Sequence, residues 1–227
     1  MRRAVVLIAA LVSATPAAAQ RYLTGPGVAL VDVLPPAPQP GSPQEAADLA
    51  TFRAARALAG SARWQQAIGD VDESVPAILA DFTPAAGRTL SPDATPQLAR
   101  LFVRMRGDVT AAVNALKPAY ARPRPFALTP GPICQPEAAL KGSPDYPSGH
   151  TSWGTAISLL LAELIPDRTA EILARGRDYG DSRVICGAHS ASAVAAGRIA
   201  GAAIVARLHG DPTFRADLES ARHEIAR

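Results

Sequence analysis

The sequence predicts a single-domain, all-α helical bundle. Apolar residues recur at spacings of three and four along most of the chain, and no segment shows the apolar–polar alternation of a half-buried strand. Helix-start signals, in which Ser, Thr or Asp is followed by Pro, recur between these segments. A length of 227 residues suits one domain with a sizeable core.

Residues 1–19 have the pattern of a secretory signal peptide. Arg2 and Arg3 form a positive start, a short apolar run follows, and small residues precede Gln20. The apolar run is too short for a stable membrane-spanning helix. The alternative is an anchor that is never cleaved, but the flanking residues favour cleavage and a periplasmic mature protein.

The mature chain then divides into an arm and a helical domain. Residues 20–41 are rich in Pro and Gly, which predicts an extended arm, and residues 42–227 form the helical domain. The first helix begins at Ser42, with Pro43 at its first position and Glu45 completing a capping box. Short helices follow at 61–70 and 74–82.

The remaining helices are predicted from the same signals. The pair Thr95-Pro96 begins a helix that reaches about Tyr120. Later helices are expected from Ser148, as cap, through Leu160; from Asp167, as cap, through Tyr179; from about Ser190 to Leu208; and from Asp211-Pro212 to near the C-terminus.

Charge and hydropathy exclude two classes of partner. Loss of residues 1–19 leaves 21 basic against 20 acidic residues, so the mature protein has no electrostatic attraction for nucleic acid. The apolar run from Ala193 to Leu208 carries Arg198 and Arg207, which favours a packed helix and argues against stable membrane insertion. Nothing in the sequence decides whether the protein forms a homo-oligomer.

Cys134 and Cys186 are the two cysteines of the chain. An even number in an exported protein predicts one disulfide, with two buried free thiols as the alternative.

Three clusters carry residues that suit a tetrahedral oxyanion. They are the stretch from Lys117 to Pro125, the tetrapeptide 147–150, and the stretch from Ser182 to His189. Lysine and arginine neutralise the charge of a phosphoryl group, and a helix start at Ser148-Gly149 offers free backbone N–H groups. The two histidines of the clusters could provide nucleophilic and acid–base chemistry. His209 and His223 lie outside the clusters and have no predicted catalytic role.

In order and spacing the clusters resemble the signature of the type 2 phosphatidic acid phosphatase and vanadium haloperoxidase superfamily. That signature is K-x6-R-P, then P-S-G-H, then S-R-x5-H-x3-D. Nearly the whole mature chain is similar to the class A nonspecific acid phosphatases of bacteria. The resemblance implies an all-α fold and hydrolysis of small phosphomonoesters to inorganic phosphate, with no metal and no cofactor.

The resemblance also implies a role for each matching residue. Lys117, Arg124 and Arg183 would bind phosphoryl oxygens, and backbone groups of Ser148 and Gly149 would add hydrogen bonds. The remaining implied roles are those of His189 as nucleophile, of His150 as general acid and base, and of a Cys134–Cys186 disulfide near the site.

One position departs from the signature. Ala193 stands where the pattern has the Asp that orients the nucleophilic histidine, and nearby Ser192 is neutral and shorter. This predicts weak but measurable catalysis, which Ala193→Asp would raise at least about tenfold. It leaves two alternatives: a phosphate-binding protein with impaired catalysis, or a vanadium-dependent haloperoxidase. An integral lipid phosphatase is disfavoured because no spanning helices are predicted.

Overall fold

The computed structural model describes residues 20–25 and 27–227, and within them the protein is helical with no strand. The predicted signal peptide therefore lies outside the described residues. The α-helices are α1 (Pro43–Ala55), α2 (Ala62–Gly69), α3 (Val75–Ala86), α4 (Pro96–Tyr120), α5 (Pro125–Leu128), α6 (Gly149–Leu164), α7 (Thr169–Ile185), α8 (Ala191–Leu208) and α9 (Pro212–Ile225). Short 3₁₀ turns lie at Leu30–Asp32, Arg56–Leu58, Glu137–Leu140 and Pro166–Arg168.

Most helices begin at the predicted caps. The side chains of Ser42, Ser148 and Asp211 each accept a hydrogen bond from a first-turn backbone N–H of the helix that follows. Such a bond satisfies an N–H that has no carbonyl partner inside the helix. These predicted helix starts are confirmed.

The start of α7 differs from the prediction. Asp167 lies inside the 3₁₀ turn, its side chain is exposed near Arg88, and the cap position falls on Arg168 without a side-chain hydrogen bond. Pro166 begins the 3₁₀ turn, which moves the helix start two residues beyond Asp167. The prediction that Asp167 caps this helix is wrong.

Helix α6 lies at the centre of the bundle, packed on α7, α8 and α4. Trp153 of α6 meets Phe102 of α4 edge to face, and both rings are buried. Because α6 is held on several sides, its first turn has a fixed position relative to α4, α7 and α8.

Helix α8 approaches α6 closely through its small residues. A Cβ atom on Gly197 would lie 2.6 Å from the carbonyl oxygen of Ser148, and one on Gly201 would lie 2.6 Å from that of Ser152. Only glycine permits this backbone contact at the start of α6. By length and composition α8 could also cross a membrane, but half of it is buried inside the bundle.

The N-terminal segment before α1 contains one 3₁₀ turn and several bends, and it packs on the bundle. The backbone N–H groups of Tyr22 and Leu23 donate to the carboxylate of Asp108 on α4, each at 2.9 Å. Further along, the carbonyl of Pro35 accepts a hydrogen bond from the hydroxyl of Tyr146. The arm therefore covers α4 and reaches the loop before α6.

Candidate active site

A pocket of about 310 Å³ lies where the end of α4, the first turn of α6 and the C-terminal end of α7 meet. It brings together six of the seven predicted site residues: Lys117, Arg124, Gly149, His150, Arg183 and His189. They come from segments separated by up to 72 residues along the chain. Part of the remaining wall is apolar, including Val109 and Val113 of α4.

Ser148, the seventh predicted residue, lies beneath the pocket and is fully buried. Its backbone N–H donates to the carbonyl of Ala193 at 3.0 Å, and its hydroxyl accepts from the backbone N–H of Thr151. Ser148 therefore fixes the first turn of α6, where Gly149 and His150 have N–H groups without intrahelical acceptors. A direct contact of Ser148 with a ligand stays a prediction.

Lys117 and Arg124 converge on the hydroxyl of Ser143. The Lys117 Nζ donates to Ser143 Oγ at 2.8 Å, and Arg124 Nη2 donates to the same oxygen at 3.1 Å. Burial, together with the charge of Arg124, lowers the pKa of Lys117 to about 8, so that the lysine stays cationic in neutral and acidic solution. Ser143 thus holds two positive charges side by side at the pocket wall.

Arg183 comes from the last turn of α7 and is almost completely buried. Its Nη2 donates to Gln135 Oε1 at 2.5 Å, whereas Nε and Nη1 are buried without a hydrogen-bond partner among the described residues. Burial lowers the pKa of Arg183 to about 10, which still leaves it charged at physiological pH. Two donors of a fixed cation are therefore available to a ligand.

His150 is held by its ring face and by one nitrogen. The imidazole stacks on Tyr179 with a centroid distance of 4.5 Å, and Nδ1 lies 3.2 Å from Glu73 Oε2. Nε2 is buried without a protein partner among the described residues. Burial, followed by the charge of Arg183, lowers the pKa of His150 to about 4.

His189 lies between α7 and α8, with a partner for each ring nitrogen. Nδ1 is 2.7 Å from the carbonyl oxygen and 3.2 Å from the carboxylate Oδ1 of Asp145, while Nε2 is 3.1 Å from Arg124 Nη1. A guanidinium only donates, so Nε2 must carry the lone pair and Nδ1 the proton. Burial lowers the pKa of His189 to about 3, which keeps the ring neutral.

Comparison with known proteins assigns the chain to a family. The PAP2 superfamily pattern matches residues 99–215, more than half of the chain. The chain belongs to the PAP2 superfamily. It is 43% identical over 194 residues to an acid phosphatase of Zymomonas mobilis, covering 85% of this chain and 74% of that protein. Non-specific acid phosphatases of Salmonella typhimurium and Providencia stuartii are 40% and 36% identical, over 85% and 86% of this chain and 78% and 80% of theirs. The resemblance drawn from the three motifs is confirmed.

Position 193 of this PAP2 member is occupied by a fully buried alanine, and its neighbour Ser192 does not reach His189. The hydroxyl of Ser192 donates to Asp48 and accepts from Arg122. The carboxylate beside the ring of His189 belongs to Asp145 instead.

Several residues that contact the PAP2 motif residues were not predicted from the sequence, and three of them hold a motif side chain by a polar contact at long sequence distance. They are Asp145 at His189, Glu73 at His150 and Gln135 at Arg183, separated along the chain by 44, 77 and 48 residues. No local spacing connects such pairs. The one available signal was that Asp145 stands two residues before the motif 147–150.

The predicted disulfide is present between Cys134 and Cys186. The backbone N–H of Cys134 also donates to the carbonyl of Cys186 at 3.1 Å. The bridge joins the loop that carries Gln135 to the end of α7, three residues after Arg183. It therefore fixes the position of the amide that holds one arm of this guanidinium.

The other two histidines lie away from the pocket, paired with Glu163 and Glu219. Among the described residues, no three His, Cys, Asp or Glu side chains are grouped as ligands of a metal ion.

Proposed function

We propose that this PAP2 member is an acid phosphatase that hydrolyses phosphomonoesters through a phosphohistidine intermediate on His189. Its relatives named acid phosphatase support the reaction class. The observation that carries the proposal is the convergence of three groups on one pocket: the neutral Nε2 of His189, and two donors of Arg183 and Nε2 of His150 that have no partner in the described part of the chain.

The cations of the pocket provide the binding chemistry. Phosphoryl transfer spreads negative charge over three equatorial oxygens, and fixed donors stabilise that charge. Arg183 offers Nε and Nη1 as a fork, while Lys117 and Arg124 add positive charge beside Ser143. The N–H of Gly149 adds a donor at the positive end of α6.

In the first step, His189 Nε2 attacks phosphorus. The N–P bond forms as the P–O bond to the leaving alcohol breaks, and protonated His150 donates its proton to that oxygen. Before the transfer, the cationic ring of His150 shares Nδ1–H with Glu73, which leaves Nε2–H as the proton that moves. The products of this step are a free alcohol and a phosphorylated, cationic His189.

In the second step, neutral His150 accepts a proton from water while the water oxygen attacks phosphorus. The N–P bond breaks, inorganic phosphate leaves and the ring of His189 returns to its neutral form. Each histidine ends in its starting protonation state, so the cycle consumes only ester and water. No step requires a metal, and the three cations around the pocket make it an unfavourable site for one.

The proposal is tested with purified mature protein, p-nitrophenyl phosphate and EDTA. We expect turnover in acid solution that phosphate inhibits competitively, loss of turnover in His189→Ala, and a radiolabelled phosphoenzyme that is stable to alkali and labile to acid. The control is His209→Ala, which removes a histidine outside the pocket. Phosphate binding without turnover would instead identify a binding protein, and bromide oxidation by peroxide with added vanadate would identify a haloperoxidase.

We further propose that residues 1–19 direct export to the periplasm and that residues 20–41 are the arm of a domain spanning 42–227. The sequence pattern of residues 1–19 supports export. Mass spectrometry of the protein released from the periplasm should give a chain that begins at Gln20. An uncleaved chain in the membrane fraction would contradict the proposal.

A further inference from the structure

We infer that Asp145 is the residue that positions His189 and stabilises its cation, in place of the carboxylate that the family pattern has at position 193. The inference rests on the proposed role of His189 as nucleophile. The role that the family signature gives to an Asp at position 193 would thus belong to Asp145, which lies 48 residues earlier in the chain and before the motif 147–150.

Asp145 meets His189 with two different groups. Its backbone carbonyl is 2.7 Å from Nδ1 and its carboxylate Oδ1 is 3.2 Å from the same nitrogen. The carbonyl by itself keeps the proton on Nδ1, which leaves the lone pair on Nε2 for attack. The carboxylate adds a negative charge beside a ring that becomes cationic when phosphorylated.

The protein holds this carboxylate as an anion. Asp145 is fully buried, yet Ser190 donates to it from its backbone N–H at 3.0 Å and from its hydroxyl at 2.6 Å. The guanidinium of Arg122 lies 3.2 Å from Oδ2. Burial alone would raise the pKa of Asp145, but the hydrogen bonds from His189 and Ser190 outweigh it and lower the pKa below its ordinary value.

The same network explains an alanine at position 193. The Ser190 hydroxyl that donates to Asp145 also accepts the backbone N–H of Ala193, at 3.2 Å. A carboxylate at 193 would therefore stand close to that of Asp145 in a buried site. Two neighbouring carboxylates cannot both ionise there, so the second would bring a proton rather than a useful charge.

Two variants test the role of Asp145 without removing its carbonyl. Asp145→Asn should lower kcat about 10- to 100-fold, because the negative charge beside the cationic ring is lost. KM should change less than about twofold, because the variant removes no contact with the substrate. This loss is smaller than the roughly 10⁴-fold effect of the equivalent change in a serine protease triad, where no carbonyl remains to fix the tautomer. Asp145→Ser should behave in the same way and leave space beside the ring.

The transfer of function is tested by moving the carboxylate. Asp145→Ser combined with Ala193→Asp should have a kcat at least about fivefold above that of Asp145→Ser, whereas Ala193→Asp alone should give no gain. The control is Asp108→Asn, a buried carboxylate of α4 that binds the arm and does not line the pocket. It should lower stability and leave kcat of the folded enzyme unchanged.

A readout without turnover separates this inference from the proposed function. In protein with ¹⁵N-labelled histidine, the Nδ1-bound proton of His189 should resonate far downfield, move upfield in Asp145→Ser and return downfield in the double variant. A kcat within twofold of wild type in Asp145→Asn, a tenfold gain in Ala193→Asp alone, or a folded double variant no better than Asp145→Ser would each overturn the inference. Absence of phosphatase activity in the wild type, with the NMR shifts as expected, would instead remove only the proposed reaction.

Discussion

At the scale of single residues, Arg183 should contribute most directly to transition-state binding. Arg183→Ala removes two donors with no other partner among the described residues, and the expected loss in kcat/KM is about 10²- to 10³-fold, or about 3–4 kcal/mol. Steady-state kinetics with p-nitrophenyl phosphate measures it. Arg198→Ala, which breaks an exposed ion pair with Asp181, is the matched control. Equal kcat/KM in the two variants would contradict the assignment.

The pH dependence should report His150. It must be protonated to donate, and its pKa in the free enzyme is about 4, so kcat/KM should fall as pH rises through that value. A bound phosphoryl dianion stabilises the cationic form of His150 and so raises its pKa in the enzyme–substrate complex. The fall of kcat with rising pH should therefore occur at higher pH than the fall of kcat/KM. Bell-shaped activity with an acid optimum is therefore expected, and a rate that rises steadily to alkaline pH would contradict it.

Glu73→Gln tests whether the fall of kcat/KM with rising pH comes from His150 or from ionisation of the substrate. The Glu73 carboxylate raises the pKa of His150 through its hydrogen bond and charge, so its removal should move the basic limb of kcat/KM to lower pH. The substrate ionises identically with both enzymes, and Glu163→Gln, which affects only His209 and Arg222, should leave the limb in place. An unmoved limb in Glu73→Gln would assign it to another group.

The charged and histidine residues that line the pocket could be predicted from the sequence, whereas the residues that hold them in place could not. His189 and Arg183 stand at a fixed spacing on one short segment, so the pair can be recognised as a sequence motif. Asp145, Glu73 and Gln135 are selected by distance in the folded chain. The expectation of weak catalysis arose from position 193 alone and stays a prediction, and the inferred role of Asp145 beside His189 argues against it.

At the scale of elements, the contact between α8 and α6 should control the first turn of α6. Gly197→Ala places a Cβ 2.6 Å from the Ser148 carbonyl and should lower stability by about 1–3 kcal/mol, as overpacking does. It should also lower kcat, since Gly149 and His150 would shift with that turn. Gly69→Ala, with open space around its Cβ, is the control in thermal unfolding and kinetics. A wild-type kcat in Gly197→Ala would show that the α8–α6 contact does not control the position of Gly149 and His150.

The disulfide should be the largest single covalent contribution to stability. It joins residues 52 apart, and loop entropy predicts about 4 kcal/mol of stabilisation. Urea denaturation with and without reductant measures the difference, and thiol titration of the denatured, unreduced protein should detect no free thiol. Reduction without loss of stability would show that the loop carrying Gln135 is held by other contacts.

Helix starts were predictable where the cap is local in sequence. Ser42 and Asp211 cap α1 and α9 from the position just before each helix, as the residue types and the following prolines indicate. The start of α4 at Pro96 was predicted as well, but its capping group was not. Thr95 forms no cap bond, and the carboxylate of Glu224, on α9, accepts the N–H groups of Gln97 and Leu98. A cap supplied from 127 residues away leaves no pattern near the helix it caps.

At the scale of the whole molecule, the free energy of unfolding should fall in the acid solution in which the enzyme is expected to be active. The folded-state pKa values of His150 and His189, about 4 and about 3, lie below the ordinary 6.5. As pH falls below 6.5, the unfolded chain binds protons that the folded protein does not, so the free energy of unfolding falls. Asp81 opposes this, because burial raises its pKa to about 6 and its folded form binds the proton first. Asp108, whose pKa burial also raises, opposes the loss as well, whereas the lowered pKa values of Glu73 and Asp145 add to it near pH 4. The expected sum is a net loss between about pH 6 and 4.

Thermal unfolding at several pH values tests this balance. The Tm should be lower at pH 4.5 than at pH 6.5, and phosphate at about 100 times its Kd should restore about 2.7 kcal/mol. Chloride at equal ionic strength should not do so, and Arg183→Ala should lose most of the phosphate effect. A Tm that is flat across this range would mean that the histidines are not held neutral by burial.

The position of Asp145 also has an evolutionary consequence. A lineage that moves a required carboxylate between two backbone positions must pass through a chain with neither or with both. The form with both would carry one shared proton beside His189, an arrangement that acid conditions favour, so it could remain active while either carboxylate was lost. Chains that lack Asp at the last position of the motif should therefore be searched for a carboxylate five residues before the motif's first histidine before they are classed as inactive.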